Sequence, residues 1–259
     1  MKSESSFIKV APSYRAIFFD AYGVLRNSSG IIEGVPEVLA QLKRKSIECY
    51  VITNDASKSP AMMRGYYVHP QIGELFGLEQ IVSSGMLAGE FLAGKVRSGK
   101  VAYLGKPASA FYIEDAGLEA VPVAEIQDPE EIRCLVLLDD EGFDWYSDLN
   151  RMLNLLRKVN IPVIVANTDT SYPVKSGEVA VAVGSLATMI ENIVGKTFIR
   201  FGKPDTQIFS FAYERALRAI PDLKKQEILM VGDTLHTDIL GANQFGVDTA
   251  LVLSGNTQK

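Results

Sequence analysis

The sequence is poor in cysteine, in excess basic charge and in long apolar runs. Its two cysteines, Cys49 and Cys134, lie far apart in apolar stretches, so a disulfide framework is excluded and both are expected to be buried thiols. The formal net charge of −5 argues against nucleic acid as the main partner, because phosphate backbones attract basic surfaces. No segment approaches the ~18 apolar residues of a membrane helix, and no signal-peptide core is found. We expect a cytoplasmic protein with no membrane partner.

The composition is that of a protein with a substantial core. Hydrophobic residues make up 47% of the chain and charged residues 22%, which is ordinary for a globular protein. A length of 259 residues suggests one large domain or two modest ones.

The first strong apolar stretch of the chain ends abruptly at a carboxylate. Residues 16–19 (AIFF) are followed by Asp20, and Gly23 supplies a turn. A continuous apolar run of this kind is typical of a strand buried on both faces of a parallel sheet. Ligands bind at the carboxyl ends of such strands, so Asp20 stands where a nucleophile would stand. The alternative is an Asp that only caps the turn after the strand.

Further predicted strands and loops also end in polar side chains. Three carboxylates at one sheet edge would repel each other, and a hard divalent cation with oxygen ligands removes that repulsion. A bound Mg²⁺ favours a phosphate ligand, whose oxygens a hydroxyl and a lysine can hold. The side chains in question are Thr53, Asn54, Lys203, Asp233 and Asp238.

A second alternation of strands and helices is predicted in the middle of the chain. Apolar strands are expected at 101–104, 134–138 and 161–165, with an amphipathic helix at 146–159. Such a block can form its own core. The predicted domains are therefore a core built from residues 1–86 and 183–259 and an inserted unit of residues 87–182.

Six stretches carry a resemblance to a known family. They are FFDAYGVL, VITN, FGKP and VGDTLHTDI, with ANTDTSYP in the middle and GANQFGVDTALVLSG at the end. Together they resemble the haloacid dehalogenase-like (HAD) superfamily of hydrolases, subclass IIA, which includes phosphatases of sugar phosphates and para-nitrophenyl phosphate. The resemblance covers nearly the whole chain. It implies an α/β fold, in which a Rossmann-like parallel-sheet core carries an inserted α/β cap domain, and an aspartyl-phosphate mechanism with Mg²⁺.

The resemblance also implies roles for individual residues. Asp20 would be the nucleophile and a metal ligand, and Thr53 and Lys203 would hold the phosphoryl group. Asp233 and Asp238 would complete the metal site. The residues implied to face the substrate are Asn54, Asn167 and Asp169.

One position departs from the phosphatase pattern. The phosphatases carry a second Asp two residues after the nucleophile, which protonates the leaving group and later activates water. Here that residue is Tyr22, whose backbone carbonyl can still bind the metal. Phenols ordinarily keep their proton at neutral pH, and general acid–base catalysis is typically worth ~10²–10⁴-fold, so slow turnover is expected. Dehalogenases of the superfamily carry Tyr here but work without metal.

The sequence thus predicts a Mg²⁺-dependent HAD phosphatase that acts on a small phosphorylated metabolite such as a sugar phosphate. A non-catalytic phosphate-binding or regulatory protein is one alternative, and a dehalogenase-type hydrolase is another. The retained Asp233 and Asp238 favour phosphate chemistry over halide displacement. The sequence identifies neither the substrate nor the oligomeric state, and it does not decide between a monomer and a homodimer.

Two other polar groups are interpreted as surface features. Lys106 lies in a second Gly-Lys-Pro string, which no helix and VGD motif follow, and it is expected to be a surface lysine. The acidic run Asp139, Asp140 and Glu141 is expected to be a solvated loop.

Overall fold

Strands and helices alternate along the chain. The computed structural model describes residues 7–96, 98–174 and 178–257. The strands are β1 Ala16–Phe19, β2 Arg26–Asn27, β3 Gly30–Ile31, β4 Glu48–Thr53, β5 Val68–His69, β6 Gly73–Glu74, β7 Ile81–Ser83, β8 Lys100–Leu104, β9 Glu119–Pro122, β10 Ile132–Leu137, β11 Val163–Val165, β12 Ser171–Pro173, β13 Val179–Val181, β14 Ile199–Arg200, β15 Ile228–Gly232 and β16 Asp248–Leu251. The α-helices are α1 Phe7–Val10, α2 Val35–Arg44, α3 Pro60–Arg64, α4 Ser84–Lys95, α5 Phe111–Glu114, α6 Trp145–Lys158, α7 Val183–Val194, α8 Thr206–Ala219 and α9 Leu240–Phe245.

Shorter helical turns connect some of these elements. A π-helical turn spans Leu235–Ile239. Turns of 3₁₀ helix cover Ala11–Ser13, Gly65–Tyr67, Leu78–Gln80, Pro107–Ala110, Val123–Glu125, Pro129–Glu131 and Lys225–Glu227.

The first sheet is parallel throughout, in the order β16-β15-β1-β4-β7. Strand β1 lies at its centre, where Phe18 is in register with Met230 on one side and Tyr50 on the other. All four residues of β1 are buried, which confirms the strand that the uninterrupted apolar run predicts. Because the strands are parallel, their carboxyl ends lie along one edge.

The second sheet is also parallel throughout, in the order β14-β11-β10-β8-β9. Its central strand β10 contains the apolar run Cys134–Leu137, all of it buried. The predicted helix at 146–159 is α6, which packs Met152, Leu155 and Leu156 into the core on this sheet. The α/β fold with a parallel-sheet core and a second α/β unit is thereby confirmed.

The two sheets share one buried apolar cluster. It joins Phe18 and Ile52 of the first sheet to Val101 and Val136 of the second. The thiols of Cys49 and Cys134 are free and buried, as predicted.

The domain boundaries stay a prediction. Helix α7 and strand β14 lie beyond residue 182, yet β14 pairs with β11 and α7 contributes Val183, Ala187 and Ile190 to the core of the second sheet. The strands of the second sheet therefore come from the part of the chain between Lys100 and Arg200. Within the described ranges, none of the helices has the length and apolarity needed to cross a membrane.

Candidate active site

A cavity of about 230 Å³ lies between the carboxyl edges of the two sheets. Each sheet contributes the residues that follow its strands. The first sheet and its neighbouring loops supply Asp20, Tyr22, Arg26, Thr53, Asp55, Ser57, Tyr66, Thr234, Thr237 and Asn256. Lys203 lies in the loop between β14 of the second sheet and helix α8. The second sheet and its loops supply Lys106, Leu138, Asp139, Asp140, Glu141, Asn167, Asp169, Ser171, Tyr172 and Pro173.

Asp20 directly follows the central strand of the first sheet. Its backbone N–H donates to the carbonyl of Val231 at 2.9 Å, so the sheet fixes where its side chain emerges. Oδ1 accepts a hydrogen bond from Lys203 Nζ at 2.5 Å. No described residue donates to Oδ2, and Asp20 lines the cavity, so this second oxygen is available to a ligand.

Lys203 is the central cation of the site. Its Nζ donates to Asp20 Oδ1 at 2.5 Å and to Asp238 Oδ1 at 2.6 Å, and its side chain is only 3% exposed. Burial by itself lowers the pKa of this ammonium, but the carboxylates of Asp20 and Asp238 outweigh burial and raise the pKa overall. Lys203 therefore stays charged in the site.

The loop after β15 places two further carboxylates beneath the cavity. Asp238 lies in the π-helical turn, and its Oδ2 accepts the backbone N–H groups of Asp233 and Thr234 at 3.1 and 3.0 Å. Asp233 Oδ2 accepts the N–H of Asn256 at 2.6 Å, and Thr234 Oγ1 donates to Asp233 Oδ1 at 3.0 Å. These bonds fix both carboxylates without neutralising them.

The three carboxylates fit a divalent metal ion. Asp20, Asp233 and Asp238 each offer an oxygen, and these oxygens lie within 4.8 Å of one another. Burial raises the pKa of Asp20 well above its ordinary value, with Asp238 and Asp233 adding to the rise and Lys203 opposing it. Lys203 compensates one of the three negative charges. A hard dication with oxygen ligands would compensate the other two.

Thr53 and Asn54, at the end of β4, differ in what they face. Thr53 lines the cavity. Asn54 is 1% exposed and, instead of facing the cavity, joins the loops of the two sheets. Its Nδ2 donates to Asp169 Oδ1 at 2.8 Å, and its Oδ1 accepts the N–H of Lys203 at 2.7 Å. In this structure Asn54 positions Lys203 and Asp169, and its contact with substrate stays a prediction.

Asn167 and Asp169 follow β11 and line the cavity, and that they face the substrate stays a prediction. Asn167 Oδ1 accepts the N–H of Asp169 at 2.9 Å, which shapes the loop. Burial raises the pKa of Asp169 to about 6, although the nearby Lys203 and the bond from Asn54 lower it. The structure thus brings a carboxylate from the loops of the second sheet near Lys203.

Tyr22 lines the cavity within a cluster of aromatic and cationic groups. Its ring packs edge-to-face against Tyr172, with centroids 6.3 Å apart. The Arg26 guanidinium lies 5.8 Å from the Tyr22 ring and 3.9 Å from the Tyr66 ring. Sequence reasoning missed Arg26, Tyr66 and Tyr172, because no spacing rule joins residues from separate loops.

The interpretation of the acidic run as a solvated loop is wrong for Asp139 and Asp140, whereas Glu141 is exposed. Lys106 lines the cavity, and its Nζ pairs with Glu141 Oε2 at 2.5 Å. Asp139 and Asp140 are 7% and 8% exposed. The missed signal was the one used for Asp20: these residues follow β8 and β10, so parallel strands carry them to the edge that faces the cavity.

Gly255 provides a sensitive test of how Asp233 is held. A Cβ on Gly255 would lie 1.8 Å from Asp233 Oδ2, so Gly255→Ala should displace that carboxylate. Disturbing the groups that orient a metal ligand typically costs ~10–100-fold in metal affinity. We expect a loss of that size in Mg²⁺ affinity, measured by the dependence of melting temperature on Mg²⁺. Gly94→Ala is the control, because nothing lies within 4 Å of its Cβ position; equal affinities in both variants would contradict the prediction.

Comparison with known proteins identifies the family of this chain. The profile described as haloacid dehalogenase-like hydrolase matches residues 17–119, and the profile described as HAD-hydrolase-like matches residues 200–259. A crystal structure of a possible sugar phosphatase of the HAD superfamily from Cytophaga hutchinsonii superposes with a TM-score of 0.93 at 50% identity, covering 99% of this chain and 90% of that one. The chain belongs to the haloacid dehalogenase-like superfamily.

Two further proteins are similar to this HAD chain. Chronophin from Mus musculus is 28% identical over 249 residues, which is 93% of this chain and 81% of its own length. A glycerol phosphate phosphatase from Mycobacterium tuberculosis, in complex with magnesium, superposes with a TM-score of 0.75 at 25% identity, covering 95% of this chain and 68% of that one. The predicted membership in subclass IIA is confirmed, and the protein is a HAD hydrolase.

Proposed function

We propose that this HAD hydrolase is a Mg²⁺-dependent phosphatase of a small phosphorylated metabolite, such as a sugar phosphate. The main observation behind this proposal is the position of the Asp20 carboxylate, which lines the cavity. Its Oδ1 accepts a hydrogen bond from Lys203 Nζ at 2.5 Å, and it lies close to the carboxylates of Asp233 and Asp238. Two relatives support the proposal, since one is described as a possible sugar phosphatase and the other is a glycerol phosphate phosphatase in complex with magnesium.

The carboxylates of Asp20, Asp233 and Asp238, with the backbone carbonyl of Tyr22, would hold the metal. When bound, Mg²⁺ supplies positive charge that offsets the carboxylates and polarises the phosphoryl oxygens. Lys203 adds a fixed positive charge beside Asp20, and the Thr53 hydroxyl lines the same cavity. These groups would stabilise the charge that develops on the transferring phosphoryl group.

The reaction uses Asp20 twice. Its Oδ2 attacks phosphorus, the bond to the ester oxygen breaks, and the leaving group departs as an alcohol once a proton reaches it. Water then attacks the same phosphorus, so that the phosphorus–Asp20 bond breaks, inorganic phosphate leaves and the carboxylate is restored. A covalent intermediate of this kind divides one difficult step into two easier ones.

Proton transfer is the weak point of the proposed mechanism. The position at which the family carries its acid holds Tyr22, which lines the cavity but offers a phenol instead of the carboxyl group that acts there in the phosphatases. Turnover of unactivated esters should therefore be slow. This residue also favours the second candidate function, a phosphate-binding protein that does not turn its ligand over.

A substrate screen with and without Mg²⁺ tests the proposed function. The purified protein is assayed for phosphate release from para-nitrophenyl phosphate and from sugar phosphates, and for halide release from a 2-haloacid. We expect Mg²⁺-dependent phosphate release that excess EDTA abolishes. Tight phosphate binding without turnover would favour the second candidate, and metal-independent halide release would establish a dehalogenase.

Metal binding has a readout that does not depend on activity. At a Mg²⁺ concentration 100 times its dissociation constant, binding should stabilise the fold by about 2.7 kcal/mol, which corresponds to a rise of roughly 5–10 °C in melting temperature. Asp233→Asn should remove most of this rise, because the amide keeps the shape but not the charge. Calorimetric melting temperatures are measured for the parent and for Asp233→Asn, each with and without Mg²⁺. A parent whose melting temperature Mg²⁺ does not raise would contradict the proposed metal site.

A further inference from the structure

We propose that Arg26 forms a subsite for a second anionic group of the substrate, either a carboxylate or a second phosphate. The Arg26 subsite consists of the Arg26 guanidinium and the ring of Tyr66, and both residues line the cavity that Asp20 also lines. This inference rests on the proposed phosphatase function and names the substrate class, a phosphate monoester whose alcohol portion carries a further negative charge.

The loop that follows Asp20 folds back and fixes the backbone of Arg26. The Arg26 N–H donates to the carbonyl of Ala21 at 3.0 Å, and the Arg26 carbonyl accepts the N–H of Gly23 at 2.7 Å. Arg26 is thereby tied to the residues that directly follow Asp20. A substrate whose phosphate contacts Asp20 can therefore extend its alcohol portion along the same wall of the cavity towards Arg26.

Among the cations that line the cavity, Arg26 differs in having no carboxylate partner within the described chain. The other two are Lys106, which pairs with Glu141 at 2.5 Å, and Lys203, which pairs with two carboxylates. Arg26 is only partly exposed, and the ion pairs of the described residues do not include it. An anion bound there would compensate a charge that the side chains around it leave uncompensated.

Tyr66 positions the guanidinium without satisfying its hydrogen-bond donors. The Cζ atom of Arg26 lies 3.9 Å from the centroid of the Tyr66 ring and 5.8 Å from that of Tyr22. A cation–π contact stabilises the positive charge but offers no oxygen or nitrogen acceptor to the N–H groups. The planar fork of these N–H groups matches a carboxylate or a phosphate, which can accept two parallel hydrogen bonds from it. The arrangement therefore suits an anion better than a neutral hydroxyl.

A second cation beside Tyr66 strengthens this preference. The Nζ atom of Lys58 lies 4.7 Å from the centroid of the same ring, and the described carboxylates form no ion pair with it either. Lys58 is not among the residues that line the cavity, so it acts only through its charge. Two cations near one ring repel each other, and a negative charge at Arg26 would offset that repulsion.

The acidic residues of the second sheet leave room for an anion at Arg26. The Tyr172 hydroxyl donates to Asp140 Oδ2 at 3.0 Å, and the Tyr172 ring packs edge-to-face against Tyr22, with centroids 6.3 Å apart. The contacts from Asp140 to Arg26 thus pass through two aromatic rings. These rings shield an anion at Arg26 from the Asp140 carboxylate.

The test compares pairs of esters that differ in one anionic group. For the carboxylate, 3-phosphoglycerate is paired with glycerol 3-phosphate, and for the phosphate, glucose 1,6-bisphosphate is paired with glucose 6-phosphate. In the parent enzyme at pH 7, with saturating free Mg²⁺, we expect kcat/KM to be about tenfold or more higher for the anionic member of at least one pair, a difference of ~1.4 kcal/mol. The pair that shows the preference distinguishes a carboxylate from a phosphate.

Three variants assign the preference to Arg26. Arg26→Gln removes the charge and should bring the ratio of kcat/KM within that pair close to one. Arg26→Lys keeps the charge but not the planar fork, so its ratio should lie between those of the parent and Arg26→Gln. Arg44→Gln is the matched control, because Arg44 is exposed and lies outside the cavity, and it should keep the parent ratio.

The outcomes separate the Arg26 subsite from the phosphatase function. Hydrolysis of para-nitrophenyl phosphate by the parent reports the proposed function alone, because its leaving group carries no second anionic substituent. If that ester is turned over and neither pair shows a preference, the subsite is overturned while the phosphatase function stands. A preference that survives in Arg26→Gln would also overturn the subsite.

Two further measurements keep the subsite testable. Should Arg26→Gln fail to fold, Arg26→Lys decides, since a reduced preference supports the subsite and an undiminished one overturns it. Should the parent turn over none of the esters, the same ratios are measured as dissociation constants by calorimetry. Equal affinities within both pairs would then overturn the subsite.

Discussion

Asp20→Asn is expected to lower the turnover of para-nitrophenyl phosphate by on the order of 10³-fold or more. The amide keeps the size of the side chain but cannot attack phosphorus. The fold should persist, because Asn Oδ1 can still accept the bond from Lys203 and Lys203 retains Asp238 at 2.6 Å. The variant also removes the repulsion between the Asp20 carboxylate and those of Asp238 and Asp233.

The measurement pairs activity with melting temperature in parent and variant. Asp115→Asn is the matched control, since Asp115 is an exposed residue outside the cavity and the chemical change is the same. The control should keep the parent rate. Parent-like turnover in Asp20→Asn would exclude Asp20 as the nucleophile, whereas loss of both activity and fold would assign the residue a structural role.

Much of the fold could be predicted because buried parallel strands leave a local signal. The apolar run at 16–19 and the run at 134–137 are both fully buried central strands. Each is uninterrupted, since a strand covered on both faces needs no polar alternation. The segment at 66–70 gave no such signal, because it forms the end of a 3₁₀ turn and the short hairpin of β5 and β6.

The side of the cavity formed by the first sheet could be predicted more fully than the side formed by the second, where the prediction reached Asn167 and Asp169 but not Lys106 or Asp139. Asp20, Thr53 and Lys203 were found from strand ends and motif spacing, and the structure brings them together at the cavity. The same rule, applied to β8 and β10, would have found Lys106 and Asp139. It was not applied there because charge runs usually lie in solvent, and only the second sheet's placement against the first shows that this edge faces a cavity.

Asn54 shows a different limit of sequence reasoning. An amide at a strand end next to a phosphate site predicts a ligand contact, but its partners here are Asp169, Thr168 and the Lys203 backbone. These lie more than 100 positions away in the chain. Local pattern identifies the residue as important, and the tertiary structure decides that it holds the two loops together.

Tyr22→Asp is expected to raise kcat for sugar phosphates by about tenfold or more, with a smaller effect on para-nitrophenyl phosphate. An alcohol leaving group needs a proton as its bond to phosphorus breaks, whereas para-nitrophenolate leaves readily without one. The new carboxyl would lie in a cavity that already holds Asp20, Asp55 and Asp139. Nearby negative charge disfavours ionisation, which suits a proton donor.

Two further variants separate the effect of the new carboxyl group in Tyr22→Asp from the effect of its smaller side chain. Tyr22→Asn leaves the same gap beside Tyr172 and Arg26 as the Asp variant but supplies no proton, so it should not gain activity. Tyr22→Phe removes only the hydroxyl and measures what the phenol contributes in the parent. Both substrates are assayed in all four proteins. If Tyr22→Asn gains as much as Tyr22→Asp, relief of crowding explains the effect. If the parent already turns over a sugar phosphate rapidly and the Asp adds nothing, another group in the cavity supplies the proton.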